Sequence, residues 1–195
     1  MLRWLAEADL ILAADGAADL CLRLGFQPHL TVGDLDSLKA NPKNLKEIEV
    51  IDDQNFTDCD KLLTALSKHQ EANITLIGLE GDRPDHFLSS LLSVARVNIR
   101  LQIGFSKGYG TLLVSGQSTA FTTHGTTSML PLEACTGACL LGTKWPLSDA
   151  DLSLEGSVSI SNRGLGPCQA SLRTGAAFLF VESSEMPNWE FFHFD

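Results

Sequence analysis

No glycine-rich P-loop with its lysine occurs anywhere in the chain, which excludes the common NTPase mechanism built on such a loop. Positive charge is scarce. Fourteen Lys and Arg stand against 24 Asp and Glu, and the net charge of −10 argues against general binding to nucleic acid or to an anionic membrane. Long apolar runs are also missing: none reaches the roughly 18 uninterrupted residues of a spanning helix. Met1-Leu2-Arg3-Trp4-Leu5-Ala6-Glu7 is too short and too charged to be a secretory signal. Cysteine, at five residues, is an odd count at irregular spacing, so no disulfide framework is expected. Cys135 and Cys139 could begin a zinc site, but no matching pair follows them, and they read as buried thiols. The expected compartment is the cytoplasm.

What is present is a folded chain of 195 residues, 44% hydrophobic and 19% charged, long enough for one large domain or two small ones. Residues 1–85 hold 16 acidic and 8 basic side chains, a net of −8 out of −10, so the acidity belongs to the first half. That half alternates short apolar strands with helical periods. Strands are expected at Asp9–Ala14, His29–Val32, Ile48–Ile51, Ile74–Gly78 and Ile99–Phe105. Helices are expected from Ala17 to Leu24 with Gly25 as C-cap, from Thr57 or Asp58 to about His69, and from Pro84 to about Val97. Such alternation implies a parallel sheet covered on both faces. From Thr111 onward the chain is rich in Thr, Ser and Gly, with short alternating runs at Thr111–Ser115, Thr119–Thr123, Ser157–Ser161 and Ala177–Glu182. The fold class expected is therefore α/β: an N-terminal parallel-sheet α/β domain over residues 1–107, then a C-terminal antiparallel β-sandwich domain over 108–195. The aromatic tail, with Trp189, Phe191, Phe192 and Phe194, is expected to dock on the body or on a partner subunit.

Four loops of the first half carry polar residues beyond the carboxyl ends of the expected strands, where an open parallel sheet binds its ligands. In Gly33-Asp34-Leu35-Asp36-Ser37 two carboxylates flank one leucine. Two unit charges about 4 Å apart repel by about 4 kcal/mol at an effective dielectric near 20. A divalent cation removes that cost, and Mg²⁺ favours sites shared between a few carboxylates and substrate phosphates. Asp15 and Gly16 open a helix whose free N–H groups suit a phosphate, although Asp15 could equally be a helix cap. Asp58 and Lys61 lie three apart, so on a helix they share a face. They are either a surface ion pair or a metal-binding carboxylate with a phosphate-binding lysine. In Gly78-Leu79-Glu80-Gly81-Asp82-Arg83-Pro84-Asp85-His86 the guanidinium of Arg83 can fork onto phosphate oxygens. His86 could be a base, a phosphate donor or a histidine on the helix surface.

Taken in order, Ala-Asp-Gly-Ala (14–17), Gly-Asp-Leu-Asp-Ser (33–37), Thr-Asp-Cys-Asp-Lys (57–61) and Gly-Asp-Arg-Pro-Asp-His (81–86) closely resemble the thiamine pyrophosphokinase family. Thr136-Gly137 through Lys144-Trp145-Pro146-Leu147 resembles the family's threonine-glycine to lysine-tryptophan segment, and Val158-Ser159-Ile160-Ser161-Asn162 its serine-asparagine strand. The likeness spans about residues 9–181. It implies an ATP- and Mg²⁺-binding catalytic domain, a thiamine-binding and dimerisation domain, and a homodimer that transfers the pyrophosphoryl group of ATP to thiamine, releasing AMP. It further implies that Asp34, Asp36 and Asp58 hold Mg²⁺. Asp15, Lys61, Arg83 and Asp85 would surround the phosphates, with Gly16 and His86 beside the nucleotide. Thiamine would lie between subunits, with Trp145 against its rings and Ser161 and Asn162 on its polar edge; a cationic thiazolium gains about 0.5–2 kcal/mol over a tryptophan face.

Two departures qualify the likeness. Family members usually begin with a further strand and polar turn ahead of the first helix, whereas this chain starts at that helix. The exposed sheet edge is then expected to be covered by the partner or the tail, unless the true start lies upstream. The spacing from Thr136-Gly137 to Trp145 is also extended. Two other readings keep the same residues: a diphosphokinase for another alcohol such as a hydroxymethyl-pterin, and a non-catalytic regulator that binds a nucleotide or thiamine.

Overall fold

In the computed structural model, which describes residues 2–69, 73–81, 83–97 and 99–194, the chain opens with α1 (Leu2–Glu7) and then alternates. β1 (Leu12–Ala14), α2 (Asp15–Arg23), β2 (Leu30–Gly33), β3 (Ile48–Val50), α3 (Asp58–Leu66), β4 (Ile74–Ile77) and α4 (Pro84–Arg96) follow in order. Contacts divide the chain into two units, Met1–Asn73 with Ile77–Ile99, and Ile74–Leu76 with Arg100–Asp195.

The first unit is built on a small parallel sheet, β1-β2-β3, with Leu12 beside Leu30 and Thr31 beside Ile48. Leu5, Ala13, Ala18 and Cys21 form its buried centre, with Ile11, Phe26 and Leu38 packed against them. Helix ends are set by local chemistry. At the end of α2, Gly25 takes φ 84°, its N–H donates to the Leu22 carbonyl, and the Phe26 N–H donates back to Cys21. A glycine adopts that left-handed turn at no steric cost, so the expected C-cap is realised as a Schellman turn. At the start of α3, Thr57 Oγ1 accepts the Asp60 N–H at 3.2 Å while Asp60 accepts the Thr57 N–H at 3.0 Å. This reciprocal capping box fixes where α3 begins.

The second unit carries β5 (Leu101–Phe105), β6 (Gly108–Val114), β7 (Gln117–Thr123), β8 (Thr126–Pro131), β9 (Cys135–Thr143), β10 (Leu147–Leu152), β11 (Ser159–Leu172), β12 (Ala176–Glu182) and β13 (Glu190–His193). With β4 they form a large curled mixed sheet in the order β10-β9-β11-β8-β12-β6-β5-β4, with β7 on β11 and β13 on β7. The long β11 pairs with β8 over Ser159–Arg163, and with β9 and β7 from Gly164 onward, so one strand turns the corner of the sheet. The core inside it contains Leu113, Met129, Leu140, Leu172, Leu179 and Val181, each fully buried.

One expectation is revised. The segments around 74–78 and 99–105 were expected to complete the parallel sheet, yet β4 and β5 lie in the large sheet. The reason is local. Phe105 pairs with Gly108 across the two-residue turn at 106–107, so β5 is zipped antiparallel onto β6 and β4 lies on its other side. The tail docks on its own second unit: β13 pairs with β7, and the Trp189 ring lies 5.2 Å from that of Phe121.

Because Thr57 closes the capping box that starts α3, Thr57→Ala is expected to cost about 1 kcal/mol of stability. Urea unfolding checks this; an unchanged midpoint would show that the helix start is set elsewhere.

Candidate active site

The acidic loops meet at the carboxyl ends of β1 and β2. Asp15 opens α2 directly after β1, and Asp34 follows the last residue of β2. Carboxylate oxygens of Asp15, Asp34 and Asp36 all lie within 4.8 Å of one another. Asp15 is fully buried. Its Oδ1 accepts the Gly16 N–H at 2.6 Å, while its Oδ2 has no hydrogen-bond partner among the described residues. A buried carboxylate oxygen left without a donor is costly unless a cation faces it. The turn that brings Asp36 back is strained: Leu35 has φ 67°, and Asp34 Oδ1 accepts the Asp36 N–H at 3.3 Å. Ser37 Oγ donates to Asp36 at 3.0 Å.

Lys61, on the first turns of α3, is buried with its side chain only 2% exposed. Its Nζ donates to Asp34 at 3.0 Å and stands 3.5 Å from Asp58. The charges set the protonation. The Lys61 ammonium, the Asp36 N–H and the Gln54 amide hold the Asp34 carboxyl down at about 2. Burial pushes Asp58 up, and the charges of Asp15 and Asp34 add to the rise against the pull of Lys61. Burial alone would lower the Lys61 value, but Asp34 and Asp58 outweigh it and raise it.

The fourth loop holds a separate pair. Arg83 donates from two nitrogens to Asp85, both side chains are exposed, and the pair drives Asp85 down to about 2. His86 is exposed on the first turn of α4, and Asp82 lies outside the described residues.

In the second unit, the indole of Trp145 is exposed in the turn between β9 and β10, with Lys144 Nζ 4.5 Å from its ring centre. Ser161 is exposed with φ 57°, and its N–H donates to Ser128 Oγ at 3.0 Å. Asn162 is 4% exposed, and its amide bonds to Trp145, Thr143 and the Arg163 backbone.

Residues 1–103 match the family described as thiamin pyrophosphokinase, catalytic domain, and residues 112–178 match thiamin pyrophosphokinase, vitamin B1 binding domain. The chain belongs to the thiamin pyrophosphokinase family. Its activity is that of an ATP-dependent diphosphotransferase acting on thiamine. Solved structures agree in fold. Thiamine pyrophosphokinase from Bacillus subtilis superposes with a TM-score of 0.77 at 22% identity, covering 93% of this chain and 92% of that one. The Geobacillus thermodenitrificans enzyme gives 0.77 at 23%, covering 94% and 91%, and the Candida albicans enzyme 0.72 at 18%, covering 91% and 82%. No curated protein matches the sequence.

Within this family fold, the residues expected on one cation distribute unevenly. Asp34 and Asp36 converge as expected, but the third carboxylate beside them is Asp15, while Asp58 stands with Lys61. Gly16 has room for a side chain, since a Cβ there would sit 3.6 Å from Ser37. The glycine that the geometry requires is Gly33, where a Cβ would come within 2.9 Å of the Asp15 carboxyl carbon. Three contributors escaped sequence reasoning. Gln54 donates to Asp34 at 3.1 Å. Asp19, buried on α2, accepts the Lys39 and Ala40 N–H groups at 2.7 and 2.8 Å and so ties down the end of the acidic loop. Gly33 is the third. The spacing of Asp15 and Asp19, one turn apart on α2, was the available signal for Asp19.

Asp34 titrates at about 2 when folded, against an ordinary 3.8. A depressed folded pKa means that its stabilisation is full above about pH 4 and is lost as pH falls toward about 2. The stability difference between this chain and Asp34→Asn, read by urea unfolding, is therefore expected to shrink across that window. A difference independent of pH would rule out the Lys61 pairing as its source.

Proposed function

We propose that the chain carries out this transfer with Mg²⁺ held by Asp34 and Asp36, completed by Asp15 and with Asp58 close by. The observation that carries the reading is the convergence of three carboxylates on one point, with a buried Asp15 oxygen left without a donor. That donor set, all hard oxygen, fits Mg²⁺. When bound there, the ion neutralises charge on the phosphate oxygens.

The chain's own groups do the rest. Lys61 holds Asp34 and Asp58 in place and brings a buried positive charge to the phosphate side of the site. The N–H groups at the start of α2 serve the nucleotide beside Gly16, except that of Gly16 itself, which Asp15 Oδ1 accepts at 2.6 Å. Arg83, oriented by Asp85, supplies a forked donor for the β-phosphoryl oxygens, and His86 on the same helix start contacts the nucleotide. The thiamine hydroxyl oxygen forms the new bond to the β-phosphorus as the bond from that phosphorus to the α-bridging oxygen breaks, leaving AMP. The hydroxyl proton passes to a carboxylate. Positioning and electrostatics carry most of the rate, as in other phosphoryl transfers. Trp145 stacks on the thiazolium, and Ser161 meets the polar edge of the substrate. The working form is a homodimer in the cytoplasm. No helix among the described residues is long and apolar enough to cross a membrane.

Replacing Asp36 by alanine is expected to lower AMP formation by at least about 10³-fold while leaving the melting temperature nearly unchanged. The assay measures AMP with and without thiamine and Mg²⁺. A variant that keeps near-normal turnover would remove Asp36 from the cation. AMP release that follows a hydroxymethyl-pterin and ignores thiamine would overturn the assignment of the acceptor.

A further inference from the structure

Strict alternation along β11 would send Ser159 and Ser161 to one face and Ile160 and Asn162 to the other. The observed burial differs: Ser159 and Asn162 are buried, while Ile160 and Ser161 between them are both exposed. A bulge is the cause. Ser159 pairs with Met129 and Asn162 with Thr127, so three steps on β11 match two on β8, and Ser161 takes φ 57°. The extra residue rolls Asn162 inward, which is how bulges re-aim a side chain.

The amide that is turned in has no spare capacity. Its Oδ1 accepts the Trp145 N–H at 3.1 Å and the Arg163 N–H at 2.8 Å. Its Nδ2 donates to the Trp145 carbonyl at 2.6 Å and to Thr143 Oγ1 at 3.1 Å. A carboxamide offers two N–H donors and an oxygen with two lone pairs, so all four positions are taken. The pair of hydrogen bonds to Trp145 mimics the exchange between two paired strand residues, and the Lys144 N–H donates to the Arg163 carbonyl at 2.8 Å. By contrast, the Trp145 indole is 57% exposed. Packing does little to hold it; its own backbone is what is held.

We infer that Asn162 is a positioning residue: its buried amide clamps the Trp145 backbone and so fixes the point from which the exposed indole reaches a planar cationic ring, and Asn162 itself does not touch the substrate. This rests on the reading of Trp145 as the ring that stacks on thiamine. It differs from a direct contact between the Asn162 side chain and thiamine, because no donor or acceptor of that amide is left over.

The test uses the full chain. Asn162→Asp keeps the shape and the acceptor for the Trp145 and Arg163 N–H groups, but turns an oxygen toward the Trp145 carbonyl. Thiamine affinity is read from quenching of tryptophan fluorescence, and KM for thiamine, KM for ATP and kcat from AMP release. Thiamine Kd and KM are expected to rise about tenfold, the effect of losing one buried hydrogen bond, with KM for ATP and kcat within about twofold. A fall in kcat and melting temperature with thiamine KM unchanged would mark a merely structural role and overturn the inference. Trp145→Ala separates the two levels. If it raises thiamine KM while Asn162→Asp does not, the stacking reading stands and the clamp fails. If Trp145→Ala leaves thiamine binding intact, the stacking reading fails and takes the clamp with it. Should Asn162→Asp not fold, Thr143→Val removes one partner of the amide without adding charge. The same thiamine-only rise, about threefold, is then expected, and its absence overturns the clamp.

Discussion

The buried ammonium of Lys61 holds the acidic site together. Four carboxylates, of Asp15, Asp34, Asp36 and Asp58, crowd the ends of β1 and β2, and any two at 4.8 Å repel by about 3 kcal/mol at an effective dielectric near 20. One ammonium offsets only part of this and leaves a surplus of about three negative charges. The protonation pattern shows where the surplus is felt: Asp34, bonded to Lys61, is held down, while Asp58, in the field of Asp15 and Asp34, is pushed up. A group of like charges kept together by so little positive charge is the physical basis of the proposed cation site. The capping box at Thr57 matters for the same reason, because it fixes the helix start from which Lys61 reaches into the loop.

Much of the acidic site was legible because its parts are local. Asp34 and Asp36 lie in one tight turn after a strand, and Asp58 and Lys61 one helical turn apart, so composition and spacing sufficed to mark them. What spacing could not supply is which oxygens converge. Asp15 joins Asp34 and Asp36 only because Gly33, with no Cβ, lets the Asp15 carboxyl lie against the end of β2. Gln54 and Asp19 act from 20 or more residues away in sequence; nothing near Gln54 marks it, and Asp19 is marked only by lying one helical turn after Asp15. The strands at 74–77 and 101–105 looked like the rest of a parallel series, since apolar period says nothing about partners. The two-residue turn before Gly108 decided the partner instead.

Backbone strain follows the same segments. Leu35, Asp149 and Ser161 are the non-glycine residues with positive φ among those described. Leu35 lies between the paired carboxylates, and Ser161 forms the bulge that turns Asn162 inward. A residue held in that region costs of order 1–3 kcal/mol and persists only when its surroundings impose it. At Leu35 the imposition comes from the Asp36 N–H turned back onto Asp34 and from Asp19 fastening Lys39 and Ala40 downstream. At Ser161 it comes from the Ser128 hydroxyl and from the four bonds of the Asn162 amide.

The two segments solve opposite problems with the same device. Around Asp34 a tight turn must press charges together, and buried partners at Lys61 and Asp19 hold it. Around Trp145 the ring lies open to solvent, as the proposed stacking on thiamine needs, and is not fixed by packing it away. Lys144 Nζ lies 4.5 Å from the centre of that ring, a contact worth about 0.5–1 kcal/mol at an exposed site. So weak a contact cannot orient an indole by itself. What is held is the backbone beneath it, where the buried amide of Asn162 reaches both the N–H and the carbonyl of Trp145.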